Sequence, residues 1–148
     1  MTTRLLKRWA ATGVVVGTLG LGACGTMGMG RNEQTWTMTG AETVPAAEGT
    51  VKVAAEKDGN TKVKLEVKHL ALPTSAFDES STYVVWIKPD NGAPQNVGVL
   101  FVDKNLKGNL ETRTGLKDFE VMVTAEHSSE AITPSERMVM NAKVVVPI

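Results

Sequence analysis

His69 and His127 are the only histidines in the chain, and so its only side chains whose unperturbed charge change falls near neutral pH. His127 opens the polar run His127-Ser128-Ser129-Glu130, with Ser135 close behind, so a serine, a histidine and a carboxylate are available for a hydrolytic triad. The Gly-x-Ser-x-Gly elbow that presents a serine nucleophile is missing. Alternation along the preceding strand assigns His69 to the core edge, on the face of Val63, Leu65 and Val67, and leaves His127 in solvent. No catalytic residue is assigned, and a small hydrolase stands only as an alternative.

Met27, Met29, Met38, Met138 and Met140, with the two histidines, are thioether and imidazole donors of the kind that suits copper. Met138 and Met140, however, fall at core spacing in a strand, and Met27 and Met29 lie in a glycine-rich stretch. No metal or cofactor site is assigned, and copper handling is a second alternative. Asp58-Gly59-Asn60 and Asp90-Asn91-Gly92 carry oxygen donors but lack the ligand spacing of a calcium loop, and both read as turns. Trp36, Tyr83 and Trp86 are the candidate partner-binding residues, since aromatics dominate binding hot spots. An odd separation puts Tyr83 and Trp86 on opposite strand faces, and burial beneath a loop competes with display to a partner.

The remaining reactive group is Cys24, the sole cysteine. Arg4, Lys7 and Arg8 precede it, followed by an uncharged run from Trp9 to Ala23. That run is shorter than the roughly 20 apolar residues a membrane span requires, so 1–23 reads as a cleaved export signal. Leu21-Gly22-Ala23-Cys24 resembles the bacterial lipobox. The resemblance implies cleavage between Ala23 and Cys24, lipidation of Cys24, and a lipid bilayer as the first partner. Each buried methylene contributes about 0.8 kcal/mol, so several acyl chains hold durably where one holds reversibly. Gly25 takes the place where an Asp commonly marks inner-membrane retention, which favours the outer membrane, with the domain facing the periplasm.

Removing 1–23 takes three of the 16 cations and none of the 16 acids, leaving a formal net charge of −3. Such a surface argues against nucleic acid as a partner. The 125 residues from Cys24 onward suffice for one domain. With the only thiol given to lipid, no disulfide is available, and hydrophobic burial has to hold the fold.

The segment 24–33 is glycine-rich and lacks alternation, so it reads as a flexible tether, with the folded domain at 34–148. From Gln34 onward, period-two blocks separated by turn residues dominate. Val63, Leu65 and Val67 alternate with Lys62, Lys64, Glu66 and Lys68, and Val51, Val53 and Ala55 repeat the pattern across the Asp58-Gly59-Asn60 turn. That predicts a hairpin over 50–69. Phe119, Val121, Val123 and Ala125 form a third inward row opposite Glu120, Thr124 and Glu126.

Tyr83–Ile87 and Val97–Val102 are nearly continuous apolar runs, as expected of strands covered on both faces or packed near an edge by a loop. Asn109–Arg113 and Gln34–Thr39 add two short strands, and Met138, Met140, Ala142, Val144 and Val146 line a last one. About eight antiparallel strands without a helical stripe predict an all-β, immunoglobulin-like sandwich, with a small barrel as the alternative.

Tyr83-Val-Val-Trp86, Gly92-Ala-Pro94, Gly98-Val-Leu100, Phe119-Glu-Val-Met-Val-Thr-Ala-Glu126 and Pro134 together resemble the extracytoplasmic C-terminal domain of anti-sigma-K factors, over roughly residues 82–140. The resemblance implies an exported all-β domain. It does not carry anti-sigma activity, which in that family belongs to a cytoplasmic helical domain. Met38-Thr-Gly-Ala-Glu-Thr-Val-Pro45 with Gly49 resembles the opening strand of chordin-type domains, without their later histidine-containing motif. Together these features lead to the expectation of a non-enzymatic envelope lipoprotein, a binding or structural module with a protein or glycan partner.

Overall fold

The computed structural model describes residues 33–79 and 81–147. The expected signal and all of the expected tether except Glu33, including Ala23, Cys24, Met27 and Met29, lie outside these residues. Eight strands follow in order: β1 (Gln34–Gly40), β2 (Glu48–Ala55), β3 (Thr61–Lys68), β4 (Thr82–Pro89), β5 (Gln95–Leu100), β6 (Gly108–Thr114), β7 (Asp118–Glu126) and β8 (Met138–Val145). A four-residue helix, α1 (Pro73–Ala76), lies between β3 and β4. The all-β, antiparallel, sandwich-like fold expected from the alternation is present.

Hydrogen bonding runs through one sheet in the order β5-β4-β7-β8-β1-β2-β3-β6. β1 serves two halves: Gln34–Met38 pair with β2, and Thr39 and Gly40 pair with β8. The sheet therefore curls until its outer strands approach. Val102 bridges to Gly108, and a Cβ added at Gly98 would lie 3.2 Å from Leu110 Cδ1. Gly108 has to be glycine, because a Cβ there would sit 2.6 Å from the Phe101 carbonyl oxygen.

The inner rows are those the alternation marks. Val51, Val53, Val63, Leu65 and Val67 meet Tyr83, Val85, Ile87, Phe119, Val121, Val123, Ala125, Ala142 and Val144 in one buried cluster. Full burial of each such aliphatic or aromatic side chain contributes roughly 1.5–3 kcal/mol, so this interior carries the fold.

Two bulges change the outward positions. In β5, Val85 faces Gly98 but Trp86 faces Asn96, so Val97 is the extra residue, followed by Gly98 at φ +138°. In β8, Val123 faces Met140 but Thr124 faces Met138, so Val139 is extra and is buried with Met140 in the main core. Met138 therefore leaves the inner row in which strict alternation puts it and packs against the outer cluster of Val84, Trp86 and Met122. Ala55 also departs from the predicted row: it ends β2 exposed.

Candidate functional site

The outer surface of β4 and β7 is covered by the β7–β8 connection, residues 127–137. Trp86 is fully buried there, and its indole Nε1 donates to Thr124 Oγ1 at 2.7 Å. Thr124 Oγ1 donates onward to Glu126 Oε1, which also accepts the Ser135 N–H at 2.7 Å. Ser135 Oγ donates to the Ala125 carbonyl at 3.0 Å. From the other side, Asn96 Nδ2 donates to the carbonyls of Ser129 and Ala131 at 2.9 and 3.0 Å. The bulge at Val97 positions Asn96, whose Oδ1 accepts the Gly98 N–H at 3.0 Å. Thr124 and Glu126, outward by alternation, are thus buried polar groups with partners rather than solvated ones.

At the rim of this loop Arg137 Nη1 donates to Asp78 Oδ2 at 3.0 Å and to Ser81 Oγ at 3.3 Å. Ser81 Oγ donates to Asp78 Oδ1 at 2.9 Å, and His127 Nδ1 lies 3.7 Å from the same oxygen. His127 Nε2 faces Arg137 Nη2 at 3.2 Å. A serine, an aspartate and a histidine therefore meet, with Ser81 and His127 both against the Asp78 carboxylate. A triad needs the imidazole next to the hydroxyl. Ser128 Oγ accepts the Glu130 N–H and Ser135 Oγ is committed to Ala125, so neither serine is paired with an imidazole in these contacts.

His69 is a correction. β3 ends at Lys68, and His69 adopts φ +56°, which swings its side chain into solvent while Leu70 takes the buried place. Tyr83 is fully buried in the main core, its hydroxyl donates to the Ala71 carbonyl at 2.7 Å, and its ring meets Phe77 edge-on at 6.3 Å. Burial pushes the phenol up to about 12. Neither Tyr83 nor Trp86 offers its ring to an outside partner in this arrangement. Trp36 is half-buried against the core from β1. The bulge separates Met138 from Met140, and among the described residues no group of three or more His, Cys, Asp or Glu is placed to hold a metal ion. No helix among them is long and apolar enough to cross a membrane.

The most exposed large apolar side chains are Ile132, in the covering loop, and Phe101, just past β5. Phe101 belongs to a run read as covered or packed near an edge, yet it is 80% exposed, because β5 is a terminal strand and the chain leaves the sheet at Leu100. The sequence signal was there: Leu100 and Phe101 cannot both face inward on an alternating strand. No family model matches the chain, and no curated protein matches it in sequence.

Proposed function

We propose that this chain is a lipid-anchored protein of a bacterial envelope whose β domain acts as a non-enzymatic binding or structural module on the periplasmic side. The observation that carries the reading is Cys24 at the end of Leu21-Gly22-Ala23-Cys24, behind Arg4, Lys7, Arg8 and an uncharged run. The relation to the outer domain of anti-sigma-K factors belongs to the same proposal and concerns architecture only.

Replacing Cys24 by alanine tests the anchor. The variant is expected to leave the membrane fraction while its domain keeps its β-sheet signal and cooperative unfolding. Partitioning identical to the parent chain would contradict the lipid anchor.

A further inference from the structure

Leu70 donates its backbone N–H to the Leu106 carbonyl at 3.1 Å, joining the segment after β3 to the loop between β5 and β6. This junction unites two unusual features. His69 and Leu106 are the only non-glycine residues at positive φ among the described residues, at +56° and +59°. Phe101, Leu106 and Leu72 are exposed large apolar side chains of the same two segments. A leucine held in the left-handed region with a little over a third of its surface exposed is strained, and such strain clusters where a ligand is met.

The loop is held in that form. Asp103 Oδ1 accepts the N–H groups of Asn105 and Lys107 at 2.8 and 3.0 Å, and the Asp103 N–H donates to the Lys107 carbonyl at 2.8 Å. Val102 bridges to Gly108 beneath it. Its one carboxylate is thereby engaged with its own backbone, whereas Lys104 and Lys107 are exposed beside Phe101 and Leu106. Lys68 and His69 are exposed alongside, with Glu48 opposite Lys68 in the β2–β3 ladder. Residues from Glu33 onward hold 12 of the 16 cations and all 16 acids, and Glu42, Glu48 and Glu79 are exposed at this same end, so the loop is a local basic, apolar spot on an acidic domain.

We infer that the Phe101–Lys107 loop and Leu72 form a contact surface for an anionic lipid bilayer, the apolar side chains entering the interface and Lys104 and Lys107 meeting headgroup phosphates. The inference rests on the lipid-anchor reading for the nearness of a bilayer. The reach is adequate: β1 enters at the end opposite this tip, and strands of 7–9 residues span roughly 25–30 Å. Ten residues of any chain span at most about 33–36 Å, and Cys24 to Glu33 is that number. A domain anchored at one end can therefore lie down and bring the other end to the same membrane.

The test uses the full chain purified from membranes and reconstituted into phosphatidylglycerol vesicles. Phe101→Cys, and separately Asn91→Cys in the β4–β5 turn at the opposite end, carry a polarity-sensitive dye read against nitroxide-labelled lipid. The expected result is several-fold stronger quenching at position 101 than at 91, lost in phosphatidylcholine vesicles and on combining Lys104→Glu with Lys107→Glu. A position-101 dye as solvent-accessible as the position-91 dye, on vesicles that carry the protein, overturns the tip contact and leaves the anchor standing. Failure of the parent chain to float with vesicles overturns both. Shielding in native membranes but not in pure lipid assigns the tip to a protein partner and overturns the lipid contact.

Discussion

On the outer face of β2 and β3, Glu66 holds Lys52 and Lys64 at 3.0 and 2.9 Å in reach of water; on the outer face of β7, Glu126 holds Thr124 and the Ser135 N–H under a loop. Both carboxylates stand on strands whose alternation points them away from the core. One face carries further surface pairs, Lys62 with Glu111 and Arg113 with Glu56, and no segment among the described residues covers it. The other lies beneath residues 127–137, and Asn96 draws two carbonyls of that loop down onto the strands. Exposed pairs are screened and contribute little, whereas a buried polar group that loses its partner bears its full desolvation cost. Equivalent strand positions thus acquire unequal energetic weight from the chain that covers them.

Removing the covered aromatic has the largest expected effect on this contrast. Trp86→Ala leaves a cavity between β4 and the loop and takes the indole donor from Thr124 Oγ1, and is expected to cost about 3–5 kcal/mol in chemical denaturation. A cost below that of a surface substitution would mean that the loop does not seal this face. Glu126→Ala comes next, at about 1–3 kcal/mol, because it orphans the Ser135 N–H and the Thr124 hydroxyl. Amide exchange should rise selectively in 127–137, while uniform acceleration across the sheet would contradict a local role.

Tyr83 probes the interior behind the same strand and, as the only tyrosine, can be read alone from phenolate absorbance. Its folded-state pKa is raised to about 12 by burial, above the ordinary value near 10. The neutral phenol is therefore the form the fold favours. Its contribution is complete below about pH 10 and is lost as pH rises through 12, a loss on the order of 2–3 kcal/mol. Titration near pH 10 in the folded protein would contradict the burial. The smallest effect belongs to the open face. Lys64 and Lys52 hold the Glu66 carboxyl below the usual carboxylate range, yet Glu66→Gln is expected to cost under about 1 kcal/mol and to matter less in high salt.

The same contrast marks what one-dimensional pattern can reveal. Val63, Leu65 and Val67 face inward and Lys62, Lys64 and Glu66 outward because a strand with one wet face keeps strict period two. The hairpin turn at Asp58-Gly59-Asn60 was equally legible, with the Asp58 carboxylate taking the Asn60 N–H at 3.0 Å and Gly59 at φ +88°. Periodicity lost its meaning where a residue was added to one strand: the bulge at Val139 moved Met138 to the opposite face from Met140. It was silent about the third dimension as well. Nothing local to Thr124 or Glu126 tells that a loop will cover them, and nothing local to His69 tells that its φ will turn positive.

The alternation also treats Phe101 and Leu106 as ordinary apolar residues. Their exposure follows from the approach of β5 and β6 at the ends of the curled sheet, which leaves the connecting loop projecting at one end. Cys24 is different in kind, since its expected role is defined by a short motif read in the extended chain rather than by packing.

Intact-mass measurement of the protein extracted from bacterial membranes tests the central claim most directly. The account predicts a chain that begins at Cys24, lacks residues 1–23, and carries added mass matching a diacylglyceryl group and a further acyl chain on that residue. An unmodified Cys24, or a chain that begins elsewhere, would contradict it.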